Sequence, residues 1–220
     1  MPKLLYHCVD EEEREIMRTL VIIGGHAPSV FPMDKKGYDR IVAADSGYDT
    51  AMSFPIVPDL VVGDFDSTSF REELLEKGYR QVPRDKDETD TELALQNIDG
   101  EYDILGGGEG RLDHILSILS LFPRYGYPRL WFTRSDTMIS IKGRKEFSLP
   151  LGTELSLFSI FGSTVTTKGL FWDIENRRLD QAFLSLSNRT KDESIIIESD
   201  EPVFMRVAPD DFSFLSSHFL

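Results

Sequence analysis

LVVGDFDST, residues 60–68, decides how the chain reads. Leu60, Val61 and Val62 are the end of an apolar, β-branched run of the kind that fills a buried strand. The run stops at Gly63, and two carboxylates follow one residue apart, Asp64 and Asp66, with Ser67 and Thr68 behind them. Acids at i and i+2 where a strand leaves its sheet can both reach one hard cation. Oxygen-only ligands suit Mg²⁺, which keeps several waters and is shared with substrate phosphates. A plain turn would use similar residues, since Asp and Ser also cap helices. The glycine, the paired acids and the apolar strand together favour a ligand site.

Working outward, the first 135 residues alternate short apolar runs with helical patterns. TLVIIGG (19–25), RIVAAD (40–45), DLVVGDFDS (59–67), YDILGGG (102–108) and RLWFT (129–133) read as strands. REELLEKGY (71–79), with Leu74 and Leu75 expected on one face, TDTELALQNI (89–98) and RLDHILSILSLF (111–122) read as helices. Alternation of this kind predicts a doubly wound, mostly parallel α/β sheet covered on both faces, with ligands at the carboxyl ends of its strands. Asp45, Asp64 and Asp66 all fall there. Beyond a boundary near residues 134–148, the runs ELSLFSIF, STVTTKGLFW, AFLSLSN, SIIIES and PVFMRV are of β type with no helix between them, which predicts an antiparallel β-sandwich. The expected domains are 1–140 and 141–220. APDDFSFLSSHFL, at the end, carries no readable motif.

Two further stretches carry chemistry. In PRDKDETDTELAL (83–95), Thr89 and Glu92 stand at capping-box spacing, which puts Asp90 in the first helical turn. Acids favour that position for dipole reasons alone, so a metal role for Asp90 depends on the helix facing the GDFDS loop. GGGEGR (106–111) follows a strand and opens a helix. Its glycines let backbone N–H groups approach an anion, and Arg111 can fork onto a phosphate. It is neither a Walker A loop nor the dinucleotide fingerprint. His114 sits one turn on, as does Asp113. His7, His26 and His218 are scattered without metal-ligand spacing.

Composition narrows the classes. With 220 residues, 40% of them apolar, the chain supports a sizeable core. A net charge of −14 argues against a nucleic-acid backbone as partner, but leaves room for an anionic small molecule held by backbone N–H groups and a metal. No apolar run spans a membrane, and MPKLLYHCVDEEEREIM lacks the apolar centre of a signal peptide. The single cysteine, Cys8, reads as a free thiol in a reducing cytoplasm.

GDFDS, DKDETD and GGGEGRLDH in that order, with AADSG at 43–47, closely resemble the thiamine pyrophosphokinase family, and TTKGLFW (166–172) and SLSN (185–188) resemble its β-sandwich. The resemblance implies transfer of the pyrophosphoryl group of ATP to the hydroxyethyl oxygen of thiamine, giving thiamine diphosphate and AMP. It implies Asp64, Asp66 and Asp90 as Mg²⁺ ligands, with Asp45 nearby in the catalytic set. It implies Gly24, Gly107, Gly108, Gly110, Arg111, Asp113 and His114 around ATP, and Trp172, Ser187 and Asn188 around thiamine. It also implies a homodimer with thiamine sites at the subunit interface. Two positions depart from the family pattern: Ser46 stands where a second glycine is more frequent, and Arg189 follows the Ser-Asn pair. Two other classes fit parts of the chain. DFDST also matches D-x-D-x-T, the nucleophile loop of haloacid-dehalogenase-like phosphatases, with Asp64 attacking phosphorus. A non-catalytic nucleotide or thiamine sensor would need fewer carboxylates.

Overall fold

The computed structural model describes residues 16–215; the expectations for His7, Cys8, His218 and the N-terminal stretch fall outside the described residues. Six strands build the first half: β1 (Arg18–Ile22), β2 (Arg40–Ala44), β3 (Leu60–Gly63), β4 (Arg80–Gln81), β5 (Glu101–Leu105) and β6 (Leu130–Phe132). They lie in the order β6-β5-β1-β2-β3-β4, all parallel. The chain moves outward from β1 to β4 and then returns to the other side of β1. The switch in direction therefore falls between β1 and β5, where such sheets open a crevice at their carboxyl ends.

Period-two alternation sends neighbouring side chains to opposite faces. Leu20 and Ile22 of β1 join one buried cluster, with Tyr48 and Ala51 of helix α1 (Gly47–Ser53) and Leu74 of α2 (Arg71–Glu76). Val21 and Ile23 join the other, with Ala94 and Leu95 of α3 (Asp90–Leu95) and Ile118, Leu121 and Phe122 of α4 (Leu112–Tyr125). Helices thus cover both faces of the sheet. Leu75 does not share the face of Leu74: it is 45% exposed while Leu74 is fully buried, because adjacent helical positions differ by about 100°.

The second half continues the same sheet. β7 (Thr137–Ser148) pairs antiparallel with β6 and runs through the region expected to hold the boundary. SIIIES and PVFMRV are not separate strands but one, β12 (Ser194–Val207), which lies along β7 with a register shift between Ser199 and Val203. That irregularity splits the partners on its other edge. Residues before it pair with β9 (Ser163–Lys168), and residues after it pair with β8 (Glu154–Phe158). β10 (Arg177–Leu179) extends β9, and β11 (Ser185–Arg189) extends β8. Within the motif-free tail, residues 208–215 carry the short helix α5 (Pro209–Phe212), and Phe212 and Leu215 complete the larger core cluster. Among the described residues no helix is long and apolar enough to cross a membrane.

Opposite the crevice, a buried polar knot ties β5 to its neighbours. Asp103 is fully buried and accepts from Arg129 Nε at 3.1 Å and Nη2 at 2.7 Å, from Tyr38 Oη at 2.8 Å and from the Leu130 N–H at 3.2 Å. Burial pushes its carboxyl up, and these donors pull it back.

Candidate active site

The acids at the strand exits converge for reasons of local backbone. Phe65, between Asp64 and Asp66, has φ of 59° and a fully buried side chain. Sending that ring into the core from a left-handed position turns both flanking carboxylates outward together. Asp45 also sits at positive φ, 46°, one residue past β2. Gly63 lets the two loops meet: a Cβ there would lie 2.9 Å from the Asp45 Cβ. As a result, one carboxylate oxygen from each of Asp45, Asp64 and Asp66 lies within 4.8 Å of the others.

Asp90 stands beside this trio rather than within it. Thr89 caps α3 by accepting from the Glu92 N–H at 3.1 Å. The reciprocal half of the capping box is absent, because the Glu92 carboxylate instead accepts from Arg124 and from Tyr125. Lys86 Nζ lies 3.1 Å from Asp90 Oδ1 as an ion pair, without the alignment of a hydrogen bond. Asp45 Oδ1 and Asp90 Oδ1 are both buried and accept no hydrogen bond. Burial raises the proton affinity of both carboxyls. For Asp45 the negative charge of Asp90 adds to this, and for Asp90 Lys86 opposes it. Asp66 is more open, and its carboxyl is held low by the Ser67 hydroxyl, with Arg84 at 3.4 Å helping. The buried Asp45 Oδ1, without a donor among crowded carboxylates, fits a hard divalent cation; a protein without one would be expected to supply a donor there.

A cleft of about 370 Å³ opens next to the acids at the switch point. Its walls include Gly24 and Gly25 after β1, Asp45 and Ser46 after β2, Asp90 at the start of α3, and Gly107, Arg111 and His114 around the start of α4. Ile23 and Ile118 supply apolar floor. Gly106 permits the tight passage behind it, since a Cβ there would lie 2.4 Å from the Ile23 carbonyl oxygen. Gly108, Gly110 and Asp113 do not line this cleft. Asp113 is instead forked by Arg111, with Nε donating to Oδ1 at 3.1 Å, and both side chains are exposed. Asp64 and Asp66 open onto an adjoining groove with Gln81 and Arg84.

Sequence reasoning assigned no role to Lys86, Arg84 or Glu109. Glu109 lines the cleft and pairs with His26 at 3.1 Å, linking the glycine-rich loop to the β1 exit. An isolated Glu in a glycine run carries no pattern that would reveal this.

The residues expected around thiamine cluster in the second half. Trp172 and the preceding Phe171 are 58% and 57% exposed. Asn188 is 1% exposed, and its amide brackets Trp172: Nδ2 donates to the Trp172 carbonyl at 2.8 Å, and Oδ1 accepts from its N–H at 3.2 Å. Asn188 therefore holds the Trp172 loop, and its amide is largely consumed in doing so. Ser187 has φ of 52°, within the register shift of β11 against β8.

Two family models match the chain: thiamin pyrophosphokinase, catalytic domain, over residues 35–130, and thiamin pyrophosphokinase, vitamin B1 binding domain, over residues 138–204. Comparison with curated proteins gives no match. Among solved structures, a thiamin pyrophosphokinase family protein from Enterococcus faecalis is 25% identical with a TM-score of 0.69, covering 87% of this chain and 98% of its own. Thiamin pyrophosphokinase from Geobacillus thermodenitrificans is 21% identical with a TM-score of 0.67, covering 90% of this chain and 100% of its own. The yeast enzyme is 17% identical with a TM-score of 0.65, covering 90% of this chain and 88% of its own. These two share the fold. With both models matched in order along one chain, the crevice and the exposed tryptophan loop acquire a common context: the chain belongs to the thiamin pyrophosphokinase family.

Proposed function

We propose that the chain transfers the pyrophosphoryl group of ATP to the hydroxyethyl oxygen of thiamine, releasing AMP. The observation that carries this reading is the convergence of Asp45, Asp64 and Asp66 beside a glycine-walled cleft at the sheet's switch point. Asp45, Asp64 and Asp66 would hold Mg²⁺, with Asp90 beside them, and the ion would neutralise the phosphate oxygens during transfer.

The chain's own groups do the rest. The backbone N–H groups around Gly107 and the start of α4 receive phosphate oxygens. Arg111 exchanges Asp113 for a phosphate, a better match to its charge. Lys86 opposes the effect of burial on Asp90 and holds its carboxylate before substrates arrive. The hydroxyl proton of thiamine passes to one of Asp45, Asp64 or Asp90. The cleft's main contribution is position, since phosphoryl-type transfer asks for alignment and charge more than covalent help.

In this reading residues 1–140 bind ATP and metal, and residues 141–220 form a sandwich that binds thiamine through Trp172 and makes a homodimer. Exposed Phe171, Trp172, Leu184 and Leu186 support a partner surface there. In this reading the protein works in the cytoplasm. Phosphorus NMR of the protein with ATP, Mg²⁺ and thiamine tests the reaction. AMP and thiamine diphosphate are expected together, and only with thiamine present. Inorganic phosphate without a thiamine product would favour the phosphatase chemistry of Asp64, and unchanged ATP would overturn the reading.

A further inference from the structure

We propose that Arg189 is a resident cation on the ring faces that thiamine must use, and that it sets the affinity for the thiazolium. This rests on the placement of thiamine at Trp172 given above.

The local backbone puts Arg189 there. β11 shifts register between Ser185 and Asn188, and this turns Asn188 inward while Arg189 faces out. The Phe171 N–H donates to the Arg189 carbonyl at 2.9 Å, and the Arg189 N–H donates to Asn188 Oδ1 at 2.9 Å. With both backbones tied, the guanidinium lies 5.6 Å from the Phe171 ring centroid and 5.8 Å from that of Trp172. Arg189 makes no ion pair among the described residues, so the aromatic faces are its observed partner.

Thiamine carries a permanent positive charge on its thiazolium ring. A cation binding a bare aromatic face gains the full attraction of the ring quadrupole. Here the face is already taken, so thiamine gains only the difference between its own cation–π interaction and that of the guanidinium it displaces. Any ligand that takes the face pays for displacing the guanidinium, but only the thiazolium meets like-charge repulsion from it as well, so the penalty is larger for the charged ring. Arg189 thus lowers affinity for the cationic substrate and narrows the gap between it and uncharged pyrimidine alcohols.

The test titrates Trp172 fluorescence with thiamine and, separately, with the neutral 4-amino-5-hydroxymethyl-2-methylpyrimidine; Trp131, buried in the core, is a constant background. Arg189→Gln is expected to tighten thiamine binding by about two- to fivefold and to lower its KM by the same factor, the range of an exposed cation–π contact. The neutral pyrimidine is expected to gain less than thiamine, and Arg189→Lys, which keeps a charge, to stay closer to the parent chain. Equal or weaker thiamine binding by Arg189→Gln overturns the proposal, as does an equal gain for both ligands. Trp172→Ala, which removes the fluorophore and is therefore read by the KM for thiamine, separates the two levels. If it weakens thiamine while Arg189→Gln does nothing, the site stands and the role of Arg189 falls. If Trp172→Ala has no effect, the placement of thiamine falls, and the proposal with it.

Discussion

Replacing Asp45 with Asn should stabilise the metal-free protein while disabling it. The Asp45, Asp64 and Asp66 oxygens lie within 4.8 Å of one another. Unit charges at that spacing repel by about 1 kcal/mol in water and about 3.5 kcal/mol at an effective dielectric of ~20. The Asp66 side chain is 42% exposed, so screening removes most of its share and the repulsion from the other acids dominates. Removing the Asp45 charge therefore relieves about 1–3 kcal/mol, or roughly 2–12 °C in Tm for a chain of this size. The amide loses no hydrogen bond at Oδ1, which accepts none, and Asn tolerates the φ of 46°. The gain should grow with pH. Burial raises the Asp45 carboxyl above its unfolded value. The parent chain is therefore unpenalised below about pH 3.9 and loses stability as pH rises through the folded value. Mg²⁺ should stabilise the parent and leave the variant largely unmoved. Activity should drop by at least about 100-fold. Thermal melts in EDTA and in Mg²⁺, from pH 4 to 8, decide the matter. A variant no more stable than the parent in EDTA at neutral pH would refute the crowding argument.

Two other substitutions probe the scaffold. Asp103→Ala takes from the largely buried Arg129 its main partner, leaving Glu101 at 3.7 Å, and should cost about 3 kcal/mol in urea unfolding; an unshifted midpoint would mean the knot carries no net stability. Asn188→Ala removes both amide contacts to Trp172 and should raise KM for thiamine about tenfold, or ~1.4 kcal/mol, with a shift in Trp172 emission. An unchanged emission would show that the loop holds itself.

The sheet was legible where strands are buried on both faces. β1, β2, β3 and β5 appear as near-continuous apolar runs because helices cover both sides, and each run ends in a glycine or an acid that marks its exit. The second half was less legible because β12 is a single strand whose neighbours change at the Ser199–Val203 shift, and a break in pattern looks like a break in structure. The acids could be located by their place at strand ends, but not their grouping. That Asp45 joins Asp64 and Asp66 more closely than Asp90 does depends on the positive φ of Phe65 and the bare Gly63, which are properties of the folded backbone. Asn188 illustrates the same limit. A polar residue beside a ligand motif suggests contact, yet its amide turns inward to hold Trp172.

The partners of these groups in the free chain share one logic. Asp66 leans on Arg84, Asp90 on Lys86, Arg111 on Asp113, and Trp172 on Arg189. These four groups already have a substitute of the same charge as the expected ligand, whereas Asp45 has none: cations beside two of the acids, an anion where a phosphate would sit, a cation where a thiazolium would sit. Ligand binding is then an exchange, and its free energy is the difference between the ligand's interaction and the substitute's. The consequence is a site ordered before its substrates arrive, with affinities adjustable through the substitutes and the reacting groups left untouched. The exposed pairs, Arg111–Asp113 and Arg189 on its rings, are the ones that can be changed with the least disturbance to the fold.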